Sequence, residues 1–153
     1  MTGRIAARLT ELGLTLPQAA APVANYVPFV LTGNQLYISG QISQNANGPI
    51  LGRLGETTSI EDGAAAARTC GLMLLAQAQA ALGDLDRIRR VVKLTGFINS
   101  SADFTDQPVV MNGCSDLMVE ILGDAGRHAR SAVGVPTLPR GVAVEVDAVF
   151  EVE

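Results

Sequence analysis

Two charged side chains late in the chain fall where strands are expected, and each could serve an anionic ligand. Arg130 opens a β-branched segment, just after a glycine-rich helix end and His128. A guanidinium in a partly dry cleft grips a carboxylate through a pair of charge-assisted bonds, because its fork matches the oxygens. The same side chain would equally serve as a surface cation or as a salt-bridge partner between subunits. Glu145 stands mid-strand, on the face opposite an apolar stripe running from Val142 through Val146 and Phe150 to Val152. A carboxylate there is paired, exposed, or used to orient a water or move a proton. Asp147 shares its face, so an ion pair across subunits explains Glu145 as well.

Other reactive types lack companions at useful spacing. His128 is the only histidine. With no serine or cysteine nucleophile recognisable nearby, it supports no triad and reads as a loop or capping residue; adjacent Ser131 points to the opposite side of a regular strand. Cys70 and Cys114 are the only cysteines and show no ligand spacing, so they read as reduced, buried thiols and no metal is expected. No G-x-G-x-x-G or Walker pattern occurs, so no organic cofactor is expected either. Ser39-Gly40-Gln41 ends a strand, where Gly40 either admits a ligand close to the backbone or merely makes a bulge.

Charge narrows the partners. The net charge is -4, and the densest basic cluster is Arg87, Arg89 and Arg90 with Lys93 beyond. Binding to a phosphate backbone needs a broader set of cations, so nucleic acid is not an expected partner. The N-terminal residues intersperse Arg4, Arg8 and Glu11 among apolar positions and form no secretory segment. The most apolar stretch, Ala64 to Leu82, is broken by Arg68, Gln77 and Gln79, so no membrane span is expected and the cytoplasm is the default location.

The elements that must position Arg130 and Glu145 are readable. A chain of 153 residues is one domain by length, 1–153, and 48% hydrophobic against 17% charged residues lets it bury part of its surface against copies of itself. Ile5 to Leu12 reads as a short amphipathic helix; Pro17, Pro22 and Pro28 then mark connecting chain. Phe29 to Thr32 and Gln35 to Ser39 form a hairpin through Gly33-Asn34. Gln44 to Thr58 is a loop, with a short strand at Pro49 to Leu51. Ser59-x-x-Asp62 resembles a capping box and opens a helix from Ile60 to Leu82, in which Gly63 and Gly71 suggest close packing against a sheet. Ile88 to Asn99 is a strand, with Val92, Leu94 and Ile98 on one face and Val91, Lys93, Thr95 and Phe97 on the other. A helix from Gln107 to Leu122, a strand from Arg130 to Pro136 and a strand from Gly141 to Val152 complete an α+β fold. Two helices cover one face of the sheet. The other still shows Val91, Phe97, Ala143 and Val149, which subunit packing would cover.

These residues resemble a known family, the reactive intermediate deaminases (Rid or YjgF). The similarity runs from about Val23 to Glu153. It is most specific in Ala129-Arg130-Ser131-Ala132-Val133, continuing through Leu138-Pro139 to Val144-Glu145-Val146-Asp147-Ala148, and it extends to Ser39-Gly40-Gln41 and the segment from Phe97 to Asn112. The resemblance implies a chorismate-mutase-like fold: a mixed β-sheet covered on one face by two helices, assembled as a homotrimer whose sheets pack around a central barrel. Its clefts would lie between neighbouring subunits.

By the same resemblance the chain hydrolyses enamine and imine intermediates, 2-imino acids among them, to 2-oxo acids and ammonia. Arg130 matches the arginine that holds the substrate carboxylate, and Glu145 the acid that places the attacking water. Tyr26, Ser39 and Asn112 fall where that family has its tyrosine, serine and asparagine, and Gly40 fits the pocket backbone. Ala132 falls at a further substrate-binding position, where cysteine is frequent and contributes largely through its backbone. An N-terminal extension, 1–22, and a longer segment from Phe104 to Asn112, with Thr105, Asp106 and Gln107 able to reshape the cleft mouth, mark a longer subgroup often labelled L-PSP endoribonuclease or translation initiation inhibitor. A trimeric protein that binds a small carboxylate without turnover is the alternative, and a ribonuclease a further one.

Overall fold

The computed structural model describes residues 2–21 and 23–153. Pro22, one of the prolines used above to assign connecting chain, lies outside the described residues, as does Met1. Three α-helices and seven strands follow in the order α1 (Arg4–Glu11), β1 (Phe29–Thr32), β2 (Gln35–Ile42), β3 (Gln44–Asn45), β4 (Gly48–Pro49), α2 (Ile60–Leu82), β5 (Ile88–Asn99), α3 (Gln107–Leu122), β6 (Ala129–Val135) and β7 (Val144–Val152). The main sheet has the order β1-β2-β7-β5-β6. Only β5 and β6 pair in parallel, with α3 as their crossover, so the sheet is mixed. The expected short strand near Pro49 is instead half of a separate ribbon, β3-β4. The chain alone forms an open sheet, not a closed barrel.

The helices form where local chemistry favours them. Ser59 Oγ accepts from the Asp62 N–H at 3.1 Å and satisfies one orphan donor of α2. Gly83 closes that helix in the left-handed region. Helices α2 and α3 pack against one another, α2 onto the stripe of β7, where Val144, Val146, Ala148 and Phe150 are buried, and α3 onto β5 and β6. The helix α1 joins the same core: Ile5 and Leu9 are at most 2% exposed, which stabilises its docking by roughly 1.5–3 kcal/mol per side chain. Asp86 receives the backbone N–H groups of Arg4 and Ile5 at 2.7 and 2.8 Å, capping α1 from across the molecule.

Three packing expectations need correction. Val91 is fully buried rather than on the open face, and Val92 is only partly buried. The register of β5 against β7 shifts between Val91 and Lys93, and one extra residue in a strand moves every preceding side chain to the other face. Ala143 is also buried, because its N–H reaches the Ile50 carbonyl and the loop before α2 covers it. Gly63 and Gly71 abut Leu54, Val110 and Leu117, so they serve contact with α3 and the loop rather than with the sheet. What remains on the open face is still apolar: Val30, Tyr37 and Val133 are 45–50% exposed, and Phe97 and Val149 are half-buried between them.

Candidate functional site

Arg130 pairs with Leu94 on β5, and Glu145 pairs with Phe97. Leu94 faces the core and Phe97 the open side, so Arg130 and Glu145 rise from opposite faces of the same sheet. Within one chain they line separate clefts.

The Arg130 cleft, about 310 Å³, lies between β6 and α3. Nη1 of Arg130 donates to Asn112 Oδ1 at 2.7 Å and to Ser115 Oγ at 3.2 Å. Asn112 and Ser115 are three residues apart and so share one helix face. Ser115 Oγ in turn lies 2.9 Å from His128 Nε2, and His128 Nδ1 lies 2.6 Å from the Gly126 carbonyl. Among the described residues no carboxylate lies within salt-bridge distance of Arg130, although Asp116 lines the same cleft. The hydroxyl beside His128 is not evident from local sequence, because Ser115 is thirteen residues away and on another element. The helical spacing of Asn112 and Ser115 was the available signal.

The Glu145 cleft, about 350 Å³, gathers Tyr26, Ser39, Gly40 and Glu145. Burial raises the Glu145 carboxyl above its ordinary value of 4.5, and the nearby Asp147 charge adds to the effect. Asp147 is raised as well by burial, opposed by a hydrogen bond from Thr95 and the charge of Lys93. Gly40 approaches Glu145 closely: a Cβ there would press on Glu145 Oε1 and oblige that carboxylate to shift. Ser39 Oγ donates to the Val27 carbonyl at 2.8 Å, tying the segment that carries Tyr26 to β2. Ala20, Ala21 and Val23 form a wall of this cleft, and Gln77 holds Ala20 in place through a 3.0 Å bond to its carbonyl. Arg140 and Gln44 also reach it. None of these wall residues was expected, because extended chain carries no periodic signal.

The remaining expected positions fall elsewhere. Ala132 sits on the Arg130 side of β6, packed against the core, and lines neither cleft. Phe104 and Gln107 border a third depression with Arg53 and Pro136, so the segment before α3 does not shape either mouth within the chain. Cys114 is buried in α3, where desolvation pushes its thiol up to about 12, and burial also raises Cys70 well above the usual thiol range. Neither is a ready nucleophile. No helix among the described residues is long and apolar enough to cross a membrane.

The chain has recognisable relatives among known proteins. Residues 6–151 match the family model described as "YjgF/chorismate_mutase-like, putative endoribonuclease". The chain belongs to this YjgF/Rid family. It is 55% identical over 152 residues to Protein TCP17 of Trypanosoma cruzi, covering 98% of this chain and 95% of that one. It is 32% identical over 142 residues to a 2-iminobutanoate/2-iminopropanoate deaminase of Dermatophagoides farinae, covering 92% and 95%. Among solved structures, a protein of Agrobacterium tumefaciens is 45% identical, with a TM-score of 0.90 over 98% of this chain and 94% of the other.

Proposed function

We propose that the protein hydrolyses reactive 2-imino acids and their enamine tautomers to 2-oxo acids and ammonia, in clefts shared between the subunits of a homotrimer. The observation that carries this reading is Arg130, a guanidinium positioned by neutral acceptors and left without an acidic partner. A positioned cation with no direct salt bridge is suited to a small carboxylate. The Dermatophagoides relative supports the reaction class.

The chemistry asks little of the protein. A protonated imine carbon is already electrophilic, so anchoring, an oriented water and proton exchange suffice. Arg130 holds the carboxylate. Glu145, whose carboxyl is raised by burial, takes a proton from the attacking water as the C–O bond forms and the C=N pair moves to nitrogen. Returning that proton to the amine makes ammonia the leaving group; as the C–N bond breaks, the hydroxyl gives its proton to Glu145, the C=O bond forms and the 2-oxo acid is left. Tyr26, Ser39 and Gly40 shape the wall around Glu145. Because Arg130 and Glu145 rise from opposite faces, one copy supplies the anchor and its neighbour the acid, and the apolar open face is where copies meet. Residues 1–153 act as one unit here, the extension 1–22 contributing Ala20 and Ala21 to the cleft wall.

The test is release of ammonia and 2-oxo acid from freshly generated 2-aminoacrylate and bulkier imino acids. Wild type should exceed the uncatalysed rate, and Arg130→Ala should lose on the order of a hundredfold in kcat/KM while remaining assembled. No acceleration with small, branched or aromatic imino acids would favour the reading as a carboxylate-binding protein without turnover.

A further inference from the structure

Beside Arg130 lies a hydrogen-bond chain that the proposed reaction does not itself require. The Gly126 carbonyl can only accept, so the bond at 2.6 Å places a proton on His128 Nδ1. Ser115 Oγ already accepts from Arg130 Nη1, and its own proton is therefore free to point at His128 Nε2, 2.9 Å away. All donors then run one way, from Arg130 through Ser115 and His128 to Gly126, and each bond polarises the next. The end of the chain is fixed: a Cβ at Gly126 would stand 2.2 Å from the Met118 carbonyl oxygen, so this turn lies hard against α3.

The consequence falls on the guanidinium. Asn112 and Ser115 both bond to Nη1. The Nε and Nη2 groups, on another edge of the same plane, make no hydrogen bond among the described residues. That edge presents parallel N–H donors, the geometry that meets both oxygens of a carboxylate.

We propose that Ser115 and His128 are positioning residues: by fixing Nη1 of Arg130 they aim its Nε–Nη2 edge at the ligand and make the cleft selective for a planar carboxylate over its carboxamide. This takes Arg130 as the anchor, as above, but does not depend on turnover. Without His128, the Ser115 proton loses its acceptor and the hydroxyl is free to rotate. The guanidinium then samples other orientations and loses bidentate contact.

Binding of pyruvate and of pyruvamide to the assembled protein by calorimetry tests this, with kinetics on 2-aminoacrylate alongside. Wild type should prefer pyruvate. Ser115→Ala and His128→Ala should weaken pyruvate about tenfold and pyruvamide little, and should raise KM while kcat stays within about twofold. His128→Gln keeps an acceptor near the Nε2 position and should recover most of the affinity. The sole imidazole makes the nitrogen NMR spectrum unambiguous, and it should show the Nδ1-protonated tautomer. Unchanged pyruvate affinity in both variants, equal loss for the amide, or an Nε2-protonated ring would overturn the proposal. Turnover without those losses overturns it alone; pyruvate binding without turnover of small, branched or aromatic imino acids overturns the deaminase reading alone; a wild type that neither binds pyruvate nor turns over any of these imino acids overturns both.

Discussion

The two clefts differ in how completely their charged groups are furnished. Arg130 is held by Asn112 and Ser115, themselves set on a helix packed against the core, with His128 behind them. Glu145 makes no hydrogen bond through its carboxylate among the described residues, and both burial and Asp147 work against its ionisation. One side is built to present a charge in a fixed direction. The other keeps a carboxylate half-buried and unpaired, which raises its affinity for a proton above that of an ordinary glutamate. An anchor needs orientation, whereas a base needs basicity, and the contrast supports the division of roles proposed for the two clefts.

The largest expected effect lies on the Glu145 side. Glu145→Gln should lower kcat by about 10²–10⁴-fold, the usual contribution of a general acid–base group, with little change in KM. In wild type the rate should fall as pH drops through a value above 4.5, because the base must be ionised and its carboxyl is raised. An acidic limb below 4.5 would break the contrast between the clefts. A smaller effect follows from the contact of Gly40. Gly40→Ala forces the Glu145 carboxylate aside and should cost roughly tenfold in kcat, corresponding to about 1.4 kcal/mol. An unchanged rate would show that the carboxylate position matters little.

The smallest effect concerns the scaffold of the Arg130 side. Asp86 caps α1, and α1 braces α3, where Arg8 Nε donates to the Glu120 carbonyl at 2.9 Å. Asp86→Ala should destabilise the protein by about 1 kcal/mol in denaturant titration, the typical value of a lost helix cap. The backbone N–H of Ile5, then that of Arg4, hold the Asp86 carboxyl below 3.8. The folded state therefore binds fewer protons there, so the stabilisation is complete above 3.8 and is lost as pH falls through the depressed value. The variant should show a weaker acid dependence in that window.

Much of this arrangement was legible before any coordinates. The bounds of α2, β5 and α3 follow from helix-forming runs, a cap at Ser59 and β-branched patterning, and Arg130 and Glu145 stood out as charges in strand contexts. The bulge in β5 was not legible, because a single extra residue leaves alternation intact on either side and shifts only the phase between them. The contact of Ser115 with His128 was hidden because the β5-α3-β6 crossover, not local spacing, brings them together. The wall formed by Ala20 and Ala21 was hidden for a related reason: extended chain is positioned by what it crosses, here Gln77 of α2. The apolar residues of the open face were readable individually, whereas the opposition of Arg130 and Glu145 across the sheet needed the pairing register.

That opposition yields the most direct test of a shared site. Arg130→Ala and Glu145→Gln should each be nearly inactive alone. Co-expressed in equal amounts and verified by native mass spectrometry as mixed assemblies, they should regain about a quarter of wild-type activity, since a site is intact when it draws Arg130 from one variant and Glu145 from the other. Mixed assemblies that stay as inactive as the separate variants would contradict a cleft that takes its anchor from one copy and its acid from the next.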